Sequence, residues 1–239
     1  MELIDVIYII KWWLVFFVIG LIFLPLTIRI FSNFFDKGYI FARILGMALI
    51  SYAVFVLGIL KILPITELTI TLTVVGFAIL NFILIRRLLP IFTSKVARFA
   101  EAPARRAEWT PSRWTLRIPW KIFLFEEILF LITLFFWSYI RAHEPSIHGL
   151  EKYMDFGFIN SIIRSEYFPP KDMWLTPLSI NYYYFGHVVT AVLTKMSFIP
   201  SAITYNLMLS TIFAFTFTGA FSIGANLYRG FALSKTRIG

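Results

Sequence analysis

Residues 6–28 read VIYIIKWWLVFFVIGLIFLPLTI, and only one of these 23 side chains, Lys11, carries a charge. As a helix rising ~1.5 Å per residue, the stretch reaches about 34 Å, enough to cross a hydrocarbon core of ~30 Å. Five further stretches share its character: Tyr39–Leu60, Leu68–Ile85, Ile118–Ile140, Tyr182–Ile199 and Ile203–Tyr228. Across all 239 residues, 59% are hydrophobic and 15% charged, with a mean hydropathy of +0.79. A soluble domain averages about 45–50% apolar and ~25% charged residues. No water-soluble fold of this size could bury so much apolar surface. The expected fold class is an all-α membrane protein of about six transmembrane helices, with the lipid bilayer as its partner and solvent.

The connections between these stretches are short except for two. The expected organisation is therefore three transmembrane helices over 1–90 and a basic loop over 91–117. A helix, a long loop over 141–181 and two more helices follow over 118–239. Arg86–Lys121 holds nine cations against Glu101 and Glu108, so the positive-inside bias places it in the cytoplasm. Counting spans backward puts Arg29, Lys37 and Arg43 on the same side and the N-terminus, with Glu2 and Asp5, outside. Counting forward puts Arg141–Asn181 outside. The tail breaks the pattern: Arg229, Lys235 and Arg237 would also fall outside. Either the last span is not a full crossing or the tail leads into a further helix of a longer protein.

The net charge of +9 is spread between spans, as the topology bias requires, and does not point to a nucleic-acid partner. Cysteine is absent, which excludes disulfides, thiolate metal sites and cysteine nucleophiles. The first five residues are acidic and no small-residue cleavage site follows, so the first span does not read as a removable signal. In the basic loop, Pro103, Pro111 and Pro119 alternate with Trp109, Trp114 and Trp120. That composition suits a segment at headgroup level, or a docking site for a partner or an anionic lipid head. Glu126 and Glu127, near the start of the fourth span, point about 100° apart on a helix. One is expected to pair with a nearby cation and the other to snorkel.

Chemistry concentrates in Arg141–Asn181. The three histidines (His143, His148, His187) lie in it or one turn beyond, as do Glu144, Glu151, Asp155, Glu166 and Asp172. Ile147–Ser165 reads as an amphipathic helix with Glu151, Asp155, Phe158 and Ile162 on one stripe. It is expected to lie on the bilayer with its apolar half dipped in and its carboxylates at headgroup level. Pro169-Pro170 stops it. The carboxylates form either a solvated face or a catalytic pair, and Lys152 and Arg164 are either counter-charges or anion ligands. Tyr182, Tyr183 and Tyr184 form either an aromatic belt or a platform for a sugar ring or a lipid phosphate. His143, His148, Glu151 and Asp155 have a permissive but undistinctive spacing for a divalent metal, so no metal or other cofactor is assigned. His187, one turn inside the fifth span, should face an interior or wet cavity.

Glu151-Lys152-Tyr153-Met154-Asp155-Phe156, Arg164-Ser165, Phe168-Pro169-Pro170 and Asn181-Tyr182-Tyr183-Tyr184-Phe185-Gly186-His187 together resemble an uncharacterised prokaryotic membrane protein family named for its "YYY" motif. Leu24-Pro25-Leu26-Thr27, Gly38-Tyr39 and Gly46 fit the same family. The resemblance implies a longer protein with more helices, and a relation to the GT-C superfamily of membrane glycosyltransferases. It implies a GT-C-like core beginning at the fourth helix, a polyprenyl-phosphate sugar donor and a catalytic carboxylate in the large outer loop. The usual acidic dipeptide of that superfamily is missing, so Asp155, with Glu151 second, is the expected base. Lys152, Arg164, Asn181, Tyr182, Tyr183, Tyr184 and His187 are the expected substrate-binding residues. The competing functions are a transporter or lipid flippase, and a non-catalytic membrane scaffold subunit.

Overall fold

A computed structural model describes residues 2–100, 119–149 and 151–238, with the backbone alone over 87–100 and 233–238. Its elements are α1 (Leu3–Ile30), α2 (Tyr39–Ile59), α3 (Glu67–Ala100), α4 (Trp120–His143), α5 (Glu151–Arg164), α6 (Phe185–Ser197) and α7 (Ser201–Ile238). Every regular element among the described residues is a helix. Five of the helices, α1, α2, α3, α4 and α7, are long and apolar enough to cross a membrane. Their outer faces expose Leu14, Leu21, Ile79, Phe82, Ile132 and Phe136. Such continuous apolar surface has no counterpart on water-soluble monomers and matches a lipid solvent. The chain is an all-α membrane protein.

Close helix contact begins with two glycines. Gly38 caps α2 at φ +68°, a conformation that L side chains rarely adopt. A Cβ on Gly46 would stand 2.3 Å from the Ile19 side chain, so only glycine lets α2 seat on α1 there. The core between them holds Trp12, Phe16, Ile19 and Phe23 from α1 with Ile40, Ile50 and Val54 from α2. Helix α7 runs antiparallel to α4. Arg141 donates to Asn206 at one end, Trp137 stacks on Phe213, Phe130 meets Phe215, and Phe125 meets Phe221 near the other end. Below that, Asn226 accepts from the backbone N–H of Phe35 at 2.8 Å, which ties α7 to the α1–α2 connection.

The expected fifth span is corrected by the structure. Tyr182–Tyr184 is not helical, and α6 has only 13 residues. At ~1.5 Å each, that is about 20 Å, short of a crossing. Phe198 (φ 54°) ends the helix and Pro200 starts α7, its carbonyl accepting from Ile203 and Thr204. The apolar run Val188–Leu193 is buried against protein, not lipid. The start of α7 lies at the same end of the bundle as Arg141, so α6 enters and returns on one side. The tail of α7 then joins the Phe31–Gly38 connection and the start of α4, where Tyr39 stacks on Phe123. Arg29, Lys37, Arg43, Lys121 and Arg229 therefore share one end.

Three further expectations shift. Helix α3 continues to Ala100, so the first ten residues of the expected loop 91–117 are helical; the rest of that loop, with Trp109 and Trp114, lies outside the described residues. Helix α5 begins at Glu151, just after Gly149 at φ +81°. Its apolar half does not dip into lipid: Phe158 and Ile162 are buried, and the helix packs on α6 and α7. Glu126 does not snorkel. It is fully buried, as is most of Glu127, which binds Arg43. Arg43, Trp13 and Tyr39 give Glu127 partners inside the bundle, so it does not have to reach the membrane surface.

Candidate functional site

The 32-residue separation between Asp155 and His187 closes in the fold. Asp155 sits mid-helix on α5, and His187 is in the first turn of α6. Because α5 lies across α6, His187 Nε2 meets Asp155 Oδ1 at 3.0 Å. The Asp155 side chain is 36% exposed and that of His187 17%. The other imidazole nitrogen, Nδ1, is buried with no hydrogen-bond partner among the described residues. A donor there would go unsatisfied, whereas a bare acceptor costs less. The arrangement therefore suits the tautomer that donates through Nε2. Asp155 is the more exposed member of the pair, and His187 holds its Oδ1.

Aromatic rings wall this pair. Phe158 meets His187 edge-on with centroids 5.4 Å apart and lies 5.9 Å from Tyr182. Tyr182 stacks on Tyr183 at 4.0 Å and donates a 2.6 Å hydrogen bond to its phenol oxygen. That bond, with the negative field of Glu151 and Asp155, pushes the Tyr182 phenol up to about 12. Both rings are exposed, so together they form a hydrophobic, hydroxylated shelf beside the carboxylate. Tyr184 departs from its neighbours. It turns inward, stacks on Phe168 and meets Phe55 edge-on. Burial raises its phenol above the ordinary range. Its position is that of a core residue anchoring the platform, while Asn181, just before it, is exposed.

The other expected site residues divide between two faces of α5. Glu151 is exposed on the Asp155 stripe, close enough for its charge to act on Tyr182. Lys152 is half-buried, three residues before Asp155. Arg164 is not brought to the pair. It lines a cleft of about 1010 Å³ with Asn160, Ser161, Glu166, Tyr167 and Lys171. At ~100° per residue, that face of α5 centres about 140° from the Asp155 stripe, and Arg164 lies about 13 Å further along the axis. The cleft's far wall is a loop pinned by Asp172, which accepts from the backbone N–H groups of Trp174 and Leu175. Glu144 is held below the ordinary carboxylate range by its hydrogen bond from Ser146. His143 is hydrogen-bonded to the Tyr139 carbonyl, and His148 packs near Tyr153. Among the described residues, no three His, Cys, Asp or Glu side chains converge on a metal position.

At the opposite end of the bundle one of Glu126 and Glu127 does find a cation, as expected, but sequence reasoning missed a third acid there. Arg43 and Glu127 pair there, and Asp36 is fully buried beside them. Asp36 carried no signal in the sequence, because it lies in a short connection where an exposed acid is ordinary.

Residues 49–239 match the family described as "Uncharacterized membrane protein (DUF2298)", and the chain belongs to that family. No curated protein and no solved structure matches it.

Proposed function

We propose that this chain belongs to a membrane glycosyltransferase of the GT-C kind, which takes a sugar from a polyprenyl-phosphate donor at the extracytoplasmic face. The reading is carried by the Asp155–His187 contact beside the Tyr182–Tyr183 shelf. The end bearing Arg29, Lys37 and Arg229 lies in the cytoplasm, which leaves α5 and α6 at the outer leaflet. The resemblance through the Asn181–His187 motif supports the same reading.

The acceptor hydroxyl approaches Asp155 Oδ2 and gives it a proton as its oxygen bonds to the anomeric carbon of the donor. The bond from that carbon to the phosphate oxygen breaks, and the lipid phosphate leaves with the electron pair. His187 keeps Asp155 Oδ1 occupied and so aims Oδ2. Lys152, three residues before Asp155 on α5, stabilises the departing anion. Tyr183 stacks under a sugar face, and Asn181 borders the shelf. Arg164 serves a different part of the substrate, in the cleft across α5.

The test uses the full-length protein, a labelled polyprenyl-phosphate sugar and a membrane acceptor extract. Transfer should fall by about 10²–10⁴-fold in Asp155→Asn, the usual contribution of a positioned base. Unchanged transfer in both Asp155→Asn and Glu151→Gln removes carboxylate catalysis from this loop. A second reading, a transporter, is favoured by the short returning helix α6, since transporters place substrate sites at broken helices. Substrate flux in proteoliposomes without sugar transfer would select it.

A further inference from the structure

We infer that Asp36 and Glu126 form a proton-binding site, one proton shared between two carboxyls that join the α1–α2 connection to α4 and α7. The site lies at the end of the bundle away from α5 and does not depend on the proposed glycosyl transfer.

Both residues are fully buried. Asp36 is well supplied with donors. Its Oδ1 accepts from the backbone N–H of Gly38 at 3.1 Å and from Asn226 Nδ2 at 3.2 Å, and its Oδ2 accepts from the Ser222 hydroxyl. Glu126 has none: among the described residues neither of its oxygens receives a hydrogen bond from a donor group. Phe125 packs on Phe221 while Ser222, the next residue of α7, donates to Asp36, which sets Glu126 beside the Asp36 carboxyl. Two ionised carboxylates in contact, away from water, have acceptors on both sides and no donor between them. A single proton supplies that donor and cancels one of the two charges. It belongs on Glu126, because the three donors around Asp36 favour that carboxylate's charge.

No nearby cation removes the need. Arg43 is committed to Glu127, whose oxygens also accept from Trp13 at 2.5 Å and Tyr39 at 2.6 Å. The Lys37 ammonium donates to the Ser32 carbonyl at 2.6 Å, and the Arg229 guanidinium lies over the Phe35 ring. The groups facing the pair are thus Arg43, Glu127 and Tyr39 within the bundle, with Lys37 and Arg229 at its rim. Without the added proton, Asp36, Glu126 and Glu127 face Arg43 in the interior and the Lys37 charge at the rim, three anions against two cations. Loss of the proton puts like charges at the seam between the α1–α2 connection and α4, so proton occupancy controls that seam.

Infrared difference spectroscopy of the purified full chain in lipid nanodiscs at neutral pH tests this. Exposed carboxyls are ionised there, so a carbonyl stretch of a protonated acid, shifted by deuterium exchange, reports the buried pair. The wild type should show it, and Glu151→Gln should keep it. In Glu126→Gln and Asp36→Asn the new amide supplies the donor, so each variant should lose the band. Its absence from the wild type, or its survival in either variant, overturns the assignment.

Discussion

Removing Glu127 offers a direct measure of how the bundle tolerates charge. Arg43 is 1% exposed, and among the described residues its guanidinium has no carboxylate partner other than Glu127. Among the described residues Nε and Nη1 lack hydrogen-bond partners, and the charge is held otherwise by the Tyr39 hydroxyl at 3.3 Å and over the Phe130 and Tyr39 rings at 4.7 and 5.5 Å. Breaking a buried ion pair from one side costs about 3–5 kcal/mol, because the remaining charge is stranded. Glu127→Ala also strands the Trp13 indole N–H and the Tyr39 hydroxyl. The expected cost is therefore at the upper end, ~4–5 kcal/mol. In Arg43→Met with Glu127→Ala the stranded charge disappears, and only the two neutral donors remain unsatisfied. The double variant should then be more stable than Glu127→Ala alone, with a coupling energy of about 2–3 kcal/mol. Unfolding measured in a constant detergent–lipid mixture for the four proteins gives the cycle. Additive single costs, with coupling below about 0.5 kcal/mol, would refute a buried, charge-paired Arg43.

The remaining expectations test packing and topology. Gly46→Val should destabilise by about 1–3 kcal/mol in thermal unfolding, because its Cβ meets Ile19 and Phe23. Gly76→Ala, with nothing within 4 Å of its Cβ, should be neutral or slightly stabilising in the same assay. Phe168→Ala removes a buried ring packed on Phe55 and Tyr184; it should cost about 3–5 kcal/mol and make the loop before α6 more sensitive to protease. The chain has no native cysteine, so single cysteines at the exposed positions Trp174 and Tyr228 can be labelled cleanly. An impermeant thiol reagent should reach them from opposite sides of sealed vesicles. Labelling from the same side would mean that α6 is a full crossing.

Hydropathy along the chain was enough to read the membrane class and the helices α1, α2, α3, α4 and α7, because each must satisfy its backbone internally and offer lipid an apolar surface. The 3.6-residue stripe of Glu151, Asp155, Phe158 and Ile162 was equally legible, since it is local. Hydropathy could not distinguish apolar residues that meet lipid from those that meet protein. For that reason Tyr182–Ile199 read as a span, although Val188–Leu193 serves the core and the chain turns back at Phe198. Composition also located Asp155 and His187 in or one turn beyond one polar segment, but only the packing of α5 on α6 brings them to 3.0 Å. That same packing turns Arg164 into a separate cleft, a separation that linear spacing does not reveal. Asp36 meets Ser222 and Asn226 across more than 180 residues. Such contacts are set by how α1, α2, α4 and α7 assemble, and a buried acid in a short connection looks no different in sequence from an exposed one.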